Sequence, residues 1–276
     1  MAAFELIATA YTVSPKGSEG EDRVRTFGRG PGPTGIVVCD GVGSIPGSAT
    51  IAEEVAERGV ALLSGREVGQ AIWHLDRRVS STLPAAGDGA TTMVVVCGEP
   101  SGVVGHLLLG NGAVLEIAPM EAGPEKVRLL WTSLALPQMA YREGRPALRS
   151  FLPPENGAAE AEKGIRNVPF GIPRLYLACS DGLLTEEERL EGPAPDGTVW
   201  QQVPAAAARL LGLVTSEWGT LLRAEAGDAA GTLTTLIAAA VNGPDDAPAT
   251  LDDDTTVGAL LMRPRGTEEA EEQVQS

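Results

Sequence analysis

Apolar runs along this chain do not fade into polar sequence. They stop abruptly at an acidic residue or a glycine. Residues 36–39 form an unbroken run that ends in Asp40-Gly41-Val42-Gly43-Ser44. Residues 175–179 form another, ending in Ser180-Asp181-Gly182, and Asp252-Asp253-Asp254 opens a third across residues 255–262. Continuous apolar stretches bounded by turn residues predict strands covered on both faces. Strand ends can be stacked along one sheet edge, so three carboxylates far apart in sequence can converge there. Converging carboxylates repel one another unless a hard divalent cation sits among them, which makes a metal site the leading expectation from these residues alone. Each Asp-Gly taken singly reads equally well as a turn.

The same patterning predicts the remaining elements. Residues 4–13 and 23–27 read as strands, joined by a loop rich in turn formers and acids, residues 14–22. Ile51, Val55 and Leu62 or Leu63 fall at helical spacing. Beyond Gly65-Arg66, so do Val68, Ile72, Leu75 and Val79. Residues 90–97, 102–109, 113–118 and 126–132 read as an antiparallel meander, with Asn111-Gly112 as a hairpin turn. Residues 136–171, interrupted by five prolines, read as strands broken by a mobile surface flap. Helices are expected over 199–214, 218–223 and 229–241, with Pro204 ending, kinking or opening the first. The domain expected is a single one over residues 1–265, with a disordered acidic tail over 266–276.

A formal charge of −16 disfavours non-specific attraction to nucleic acid or anionic membranes. Cys39, Cys97 and Cys179 lie inside expected strands without metal-type spacing, which suits buried free thiols in a reducing compartment. No segment reaches the ~18 uninterrupted apolar residues of a membrane span. A cytoplasmic protein is the simplest reading. His74 and His106 stand alone and read as surface and packed residues.

The ordered set Glu21-Asp22, Asp40-Gly41-Val42-Gly43, Gly89-Ala90-Thr91-Thr92, Gly110-Asn111-Gly112, Ser180-Asp181-Gly182 and Asp253-Asp254-Thr255-Thr256 spans nearly the whole chain. It resembles the metal-dependent serine/threonine protein phosphatases of type 2C. The resemblance implies an α/β fold, a four-layer αββα sandwich of two mainly antiparallel sheets flanked by helices. It also implies two Mn²⁺ or Mg²⁺ ions. Asp40 would bridge both and Gly41 would offer its carbonyl to one. Asp181 and Asp253 would ligate one ion, and Asp22, with Glu21 beside it, would complete the other. A metal-bridging water would then attack the phosphorus of phosphoserine or phosphothreonine in a protein targeted by a serine/threonine kinase.

The chain departs from that pattern at four places. Lys16 and Arg23 are the cations available where the family often has a phosphate-gripping arginine, and lysine lacks the bidentate fork. Val42 replaces a frequent histidine assigned as general acid. Asn111 stands where an aspartate helps hold a third metal, and Ser44 replaces a glycine. Two alternatives therefore accompany the phosphoprotein phosphatase: a catalytically weak regulatory binding module, and a hydrolase of a small phosphorylated metabolite.

Overall fold

The computed structural model describes residues 4–15, 20–28, 32–83, 89–123, 126–135, 137–142, 145–148, 150–154, 160–184, 189–193, 200–244 and 253–265. Lys16, Asp252, the centre of the expected flap and the acidic tail lie outside them.

In chain order, strands β1 (Phe4–Val13), β2 (Arg23–Phe27) and β3 (Thr34–Cys39) precede helices α1 (Ser48–Leu63) and α2 (Val68–Ser80). Strands β4 (Met93–Gly98), β5 (Val103–Leu109), β6 (Ala113–Gly123) and β7 (Lys126–Ala135) follow, then the short pair β8 (Met139–Arg142) and β9 (Arg145–Leu148). Next come β10 (Glu162–Asn167), β11 (Arg174–Cys179) and a 3₁₀ turn, Asp181–Leu184. A second short pair, β12 (Arg189–Pro193) and β13 (Trp200–Pro204), leads into α3 (Ala205–Arg223), α4 (Ala226–Asn242) and β14 (Thr255–Pro264).

Two five-stranded antiparallel sheets result, ordered β1-β14-β11-β6-β7 and β10-β5-β4-β3-β2. The unbroken apolar runs are explained by what covers each face. Along β3 and β4, Ile36, Val38, Val94 and Val96 point between the sheets with Tyr176, Leu260 and Met262. The alternating residues Val37, Cys39, Val95 and Cys97 point outward onto α1 and α2. Helices α3 and α4 cover the other sheet through Leu210, Val214, Trp218, Leu233 and Ile237. Two sheets flanked by four helices give the αββα layering that the patterning and the resemblance led us to expect. All three cysteines are buried and free, as expected for strand-interior thiols. No helix among the described residues is long and apolar enough to cross a membrane.

Two local expectations need correction. Residues 90–132 form two hairpins in different sheets, not one meander: β4 pairs with β5, and β6 pairs with β7. Gly110-Asn111-Gly112 is thus the crossing between sheets, not a hairpin turn. Gly112 is needed there because a side chain would strike the Cys179 carbonyl and Val94. Residues 205–223 form one uninterrupted helix, and Pro204 ends the strand before it, where its missing N–H costs no helical bond. Within residues 136–171 the described chain contains strands β8, β9 and β10, while residues 155–159 in the expected flap lie outside the described residues. β10 is a full edge strand on β5, tied to α2 by Lys163, whose Nζ lies 2.6 Å from buried Asp76.

Candidate functional site

Antiparallel register brings the acidic strand ends together. Arg23 pairs with Cys39, so Asp22 lies beside Asp40 at one end of the second sheet. Cys179 pairs with Val257, so Asp181 lies beside the start of β14, where Asp253 and Asp254 are found. Asn111 arrives at the same place because the chain crosses there between sheets. The result is a cleft of about 530 Å³, lined among others by Glu21, Asp40, Gly41, Val42, Asn111, Asp181, Asp253 and Asp254.

The main chain at Asp40 is heavily braced. Its carbonyl accepts from the Thr92 amide and the Thr91 hydroxyl, both at 2.8 Å, while its own amide donates to the Thr92 hydroxyl at 3.2 Å. Val42 then donates to the Ala90 carbonyl at 2.9 Å. The Gly89-Ala90-Thr91-Thr92 stretch is therefore a scaffold for the acid and contributes no acid itself. Gly41 is required by close approach, since a Cβ there would sit 2.8 Å from Glu21 Cβ. Gly182 plays the matching part at Asp181, against the Asp254 carbonyl.

Asp22 is the most telling group. It is 6% exposed, and neither carboxylate oxygen has a hydrogen-bond partner. Burial, the largest influence, pushes its carboxyl up to about 6. Burial, then the Asp22 and Asp181 charges, push Asp40 up to about 10. Asp181 is raised by burial and by Asp253, and its Oδ1 is also buried without a partner. Burying unpaired carboxylates side by side is costly, and a fold normally avoids it. A divalent cation among these oxygens reverses the balance, because hard oxygen donors are what such ions take. The residues present fit such a group.

Some oxygens are engaged within the protein. Asn111 Nδ2 donates to Asp181 Oδ2, leaving Asn111 Oδ1 buried and unpartnered. Asp253, exposed at the rim, accepts from the Asp254 amide at 2.8 Å. With these bonds in place, no three His, Cys, Asp or Glu side chains among the described residues already surround one point at coordinating geometry.

Of the sequence-derived site residues, Asp22, Asp40, Gly41, Asp181, Asp253 and Asn111 gather at this end of the sandwich. Arg23 does not line the cleft. Its guanidinium is spent on Glu53 at 3.2 Å and on the Gly20 and Asp22 carbonyls. No lysine or arginine lines the cleft among the described residues. Sequence reasoning missed the separate part played by Asp254. It is 8% exposed, and its Oδ2 accepts from the Glu21 and Asp22 amides. Nothing in a run of three aspartates distinguishes it from its neighbours.

The fold is shared with solved structures. A bacterial serine phosphatase superposes with a TM-score of 0.60 at 11% identity, covering 95% of this chain and 100% of that one. The fold is that of these phosphatases. Serine/threonine phosphatase Stp1 from Staphylococcus aureus gives 0.55 at 12% identity, with 96% and 98% covered. RsbX in complex with magnesium gives 0.50 at 12% identity, with 95% and 100% covered. No protein-family model matches the chain, and no curated protein matches its sequence. At such identities, what is shared is the layered architecture.

Proposed function

We propose that this chain is a metal-dependent phosphoprotein phosphatase that hydrolyses phosphoserine or phosphothreonine in the cleft at the strand ends. The observation that carries the reading is Asp22, buried with both oxygens unpartnered beside Asp40, whose charged form is disfavoured by burial and by its neighbours. Asp22, Asp40, Asp181 and Asp253, with the Gly41 carbonyl, would hold two Mn²⁺ or Mg²⁺ ions. Such ions supply an activated water and neutralise the charge of the attacking and leaving oxygens. The magnesium named with RsbX supports the choice of a hard cation.

The chain's own groups account for the rest. Thr91 and Thr92 fix the Asp40 main chain, so the acid is presented without reorganisation. Val42 closes one wall and offers no proton, so the leaving hydroxyl takes its proton from water. With no described cation lining the cleft, recognition of the phosphate dianion rests on the bound ions and on Lys16, adjacent to the lining residue Pro15. One observation favours the rival reading of a catalytically weak binding module: Asn111 donates to Asp181 instead of adding a carboxylate.

Hydrolysis of a phosphopeptide and of p-nitrophenyl phosphate, with Mn²⁺, Mg²⁺ or chelator, tests the proposal. Turnover that requires divalent metal supports it. Retention of phosphopeptide binding without turnover would shift the assignment to the binding module.

A further inference from the structure

Asp22 poses a physical question that the phosphatase reading leaves open. A buried carboxylate without partners, beside Asp40, should swing its loop away from the sheet. Two side chains hydrogen-bond that loop, and they come from opposite layers. From the first sheet, Asp254 Oδ2 accepts the Glu21 amide and, at 3.4 Å, the Asp22 amide. From the second, one Arg23 nitrogen donates to the Gly20 carbonyl at 2.8 Å and to the Asp22 carbonyl at 2.7 Å. Arg23 is in turn held by Glu53 of α1, 3.2 Å from its Nε, and Glu53 also takes Arg25. Gly20 sits in a crowded spot, where a Cβ would strike the Ser14 hydroxyl and lie 3.1 Å from both Asp254 oxygens. Among the described residues, no other side chain hydrogen-bonds the backbone of residues 20–22.

We propose that Asp254 and Arg23 are positioning residues that clamp the Gly20–Asp22 backbone from both sheets, holding the Asp22 carboxylate in place for a cation. The inference rests on the phosphatase reading for the cation, but the clamp itself does not depend on one. A carboxylate oxygen held against adjacent backbone amides orients the loop, and such outer partners set ligand geometry ahead of binding. The clamp also explains why Arg23 is not free to meet a phosphate, and why Asp253 and Asp254 have different tasks despite identical chemistry. Asp253 faces the rim, while Asp254 is turned inward to the loop.

The test is amide hydrogen exchange at Glu21 and Asp22 in the full chain stripped of metal, followed by Mn²⁺ titration. Variants are Asp254→Ala, Asp254→Asn and Arg23→Ala. An acceptor oxygen survives in Asp254→Asn, so that variant should match wild type in exchange. Asp254→Ala should exchange at these two amides about fivefold faster or more, as expected for one lost hydrogen bond. Its Mn²⁺ affinity should fall about tenfold, the usual cost of removing an outer partner. Arg23→Ala should weaken Mn²⁺ in the same direction, which keeps the test alive if Asp254→Ala does not fold. Unchanged exchange and affinity in both alanine variants would overturn the clamp. So would an Asp254→Asn as damaged as Asp254→Ala in exchange, since charge rather than the acceptor would then be at work. A wild type that binds no Mn²⁺ would defeat the phosphatase reading, and the exchange pattern alone would then decide the clamp.

Discussion

Asp40 is a carboxylate held where its charged form is disfavoured, and this has a thermodynamic signature apart from catalysis. Its folded carboxyl is pushed far above the ordinary 3.8, to about 10, by burial and then by the Asp22 and Asp181 charges. A folded state that binds a proton more tightly than the unfolded chain is favoured at low pH. The contribution is complete below the unfolded value and is lost as pH rises from about 4 towards 10. In chelator-treated protein, thermal stability should therefore fall between pH 5 and 8. Asp40→Asn should flatten that fall and raise Tm at pH 8 by about 2–4 °C, on the order of 1 kcal/mol for a chain of this size. Parallel pH profiles for the two proteins would mean that Asp40 is not electrostatically frustrated. The acids themselves were legible in the sequence, because Asp40, Asp181 and Asp253 each terminate or open a strong strand. The assignment of Arg23 to phosphate was not secure at that level, because its Glu53 partner lies on α1 and nothing local signals the pairing.

Elements were legible where one periodicity ruled and illegible where two layers competed. Strand β1 came out at its expected limits, and helix α1 contains the residues whose spacing predicted it. The crossing at Asn111 could not be told from a hairpin, since Asn-Gly suits both and only sheet membership separates them. Strand β10 was masked by surrounding prolines and by its polar outer positions. Its tie to α2 gives an element-scale prediction. Lys163 is nearly buried against Asp76, which is 2% exposed. Replacing Lys163 by Met leaves an unpaired buried acid and should cost about 3 kcal/mol or more. The double variant with Asp76→Leu should recover most of that loss. A urea midpoint unmoved by the single change would show the pair to be dispensable. A further prediction at this scale concerns the mouth of the cleft. The β8–β9 hairpin reaches the cleft through Leu148, whereas residues 162–167 belong to the sheet. Leu148→Ala should raise KM for a phosphopeptide about fivefold, the loss of a modest apolar contact, and leave KM for p-nitrophenyl phosphate nearly unchanged. Equal shifts for the two substrates would remove the hairpin from recognition.

At the scale of the molecule, the fold persists at 11–12% identity to solved phosphatases because it depends on alternation rather than on particular residues. Val, Ile and Leu exchange freely between the sheets as long as each strand keeps one face inward and one face under a helix. The strand ends are less forgiving. There, glycines at 41, 112 and 182 let chains approach within contact distance, and the acids from both sheets meet in one cleft. Layering therefore carries the architecture, and the ends bring the acids together. The account stands or falls on whether those ends work as a cation-dependent phosphoester hydrolase. The direct measurement is phosphopeptide hydrolysis by chelator-treated protein as Mn²⁺ is added back, for wild type, Asp40→Asn and Asp181→Asn. We expect turnover to return with Mn²⁺ in wild type and to stay at background in both folded variants. Hydrolysis that persists in chelator, or that returns equally in all three proteins, would contradict the account.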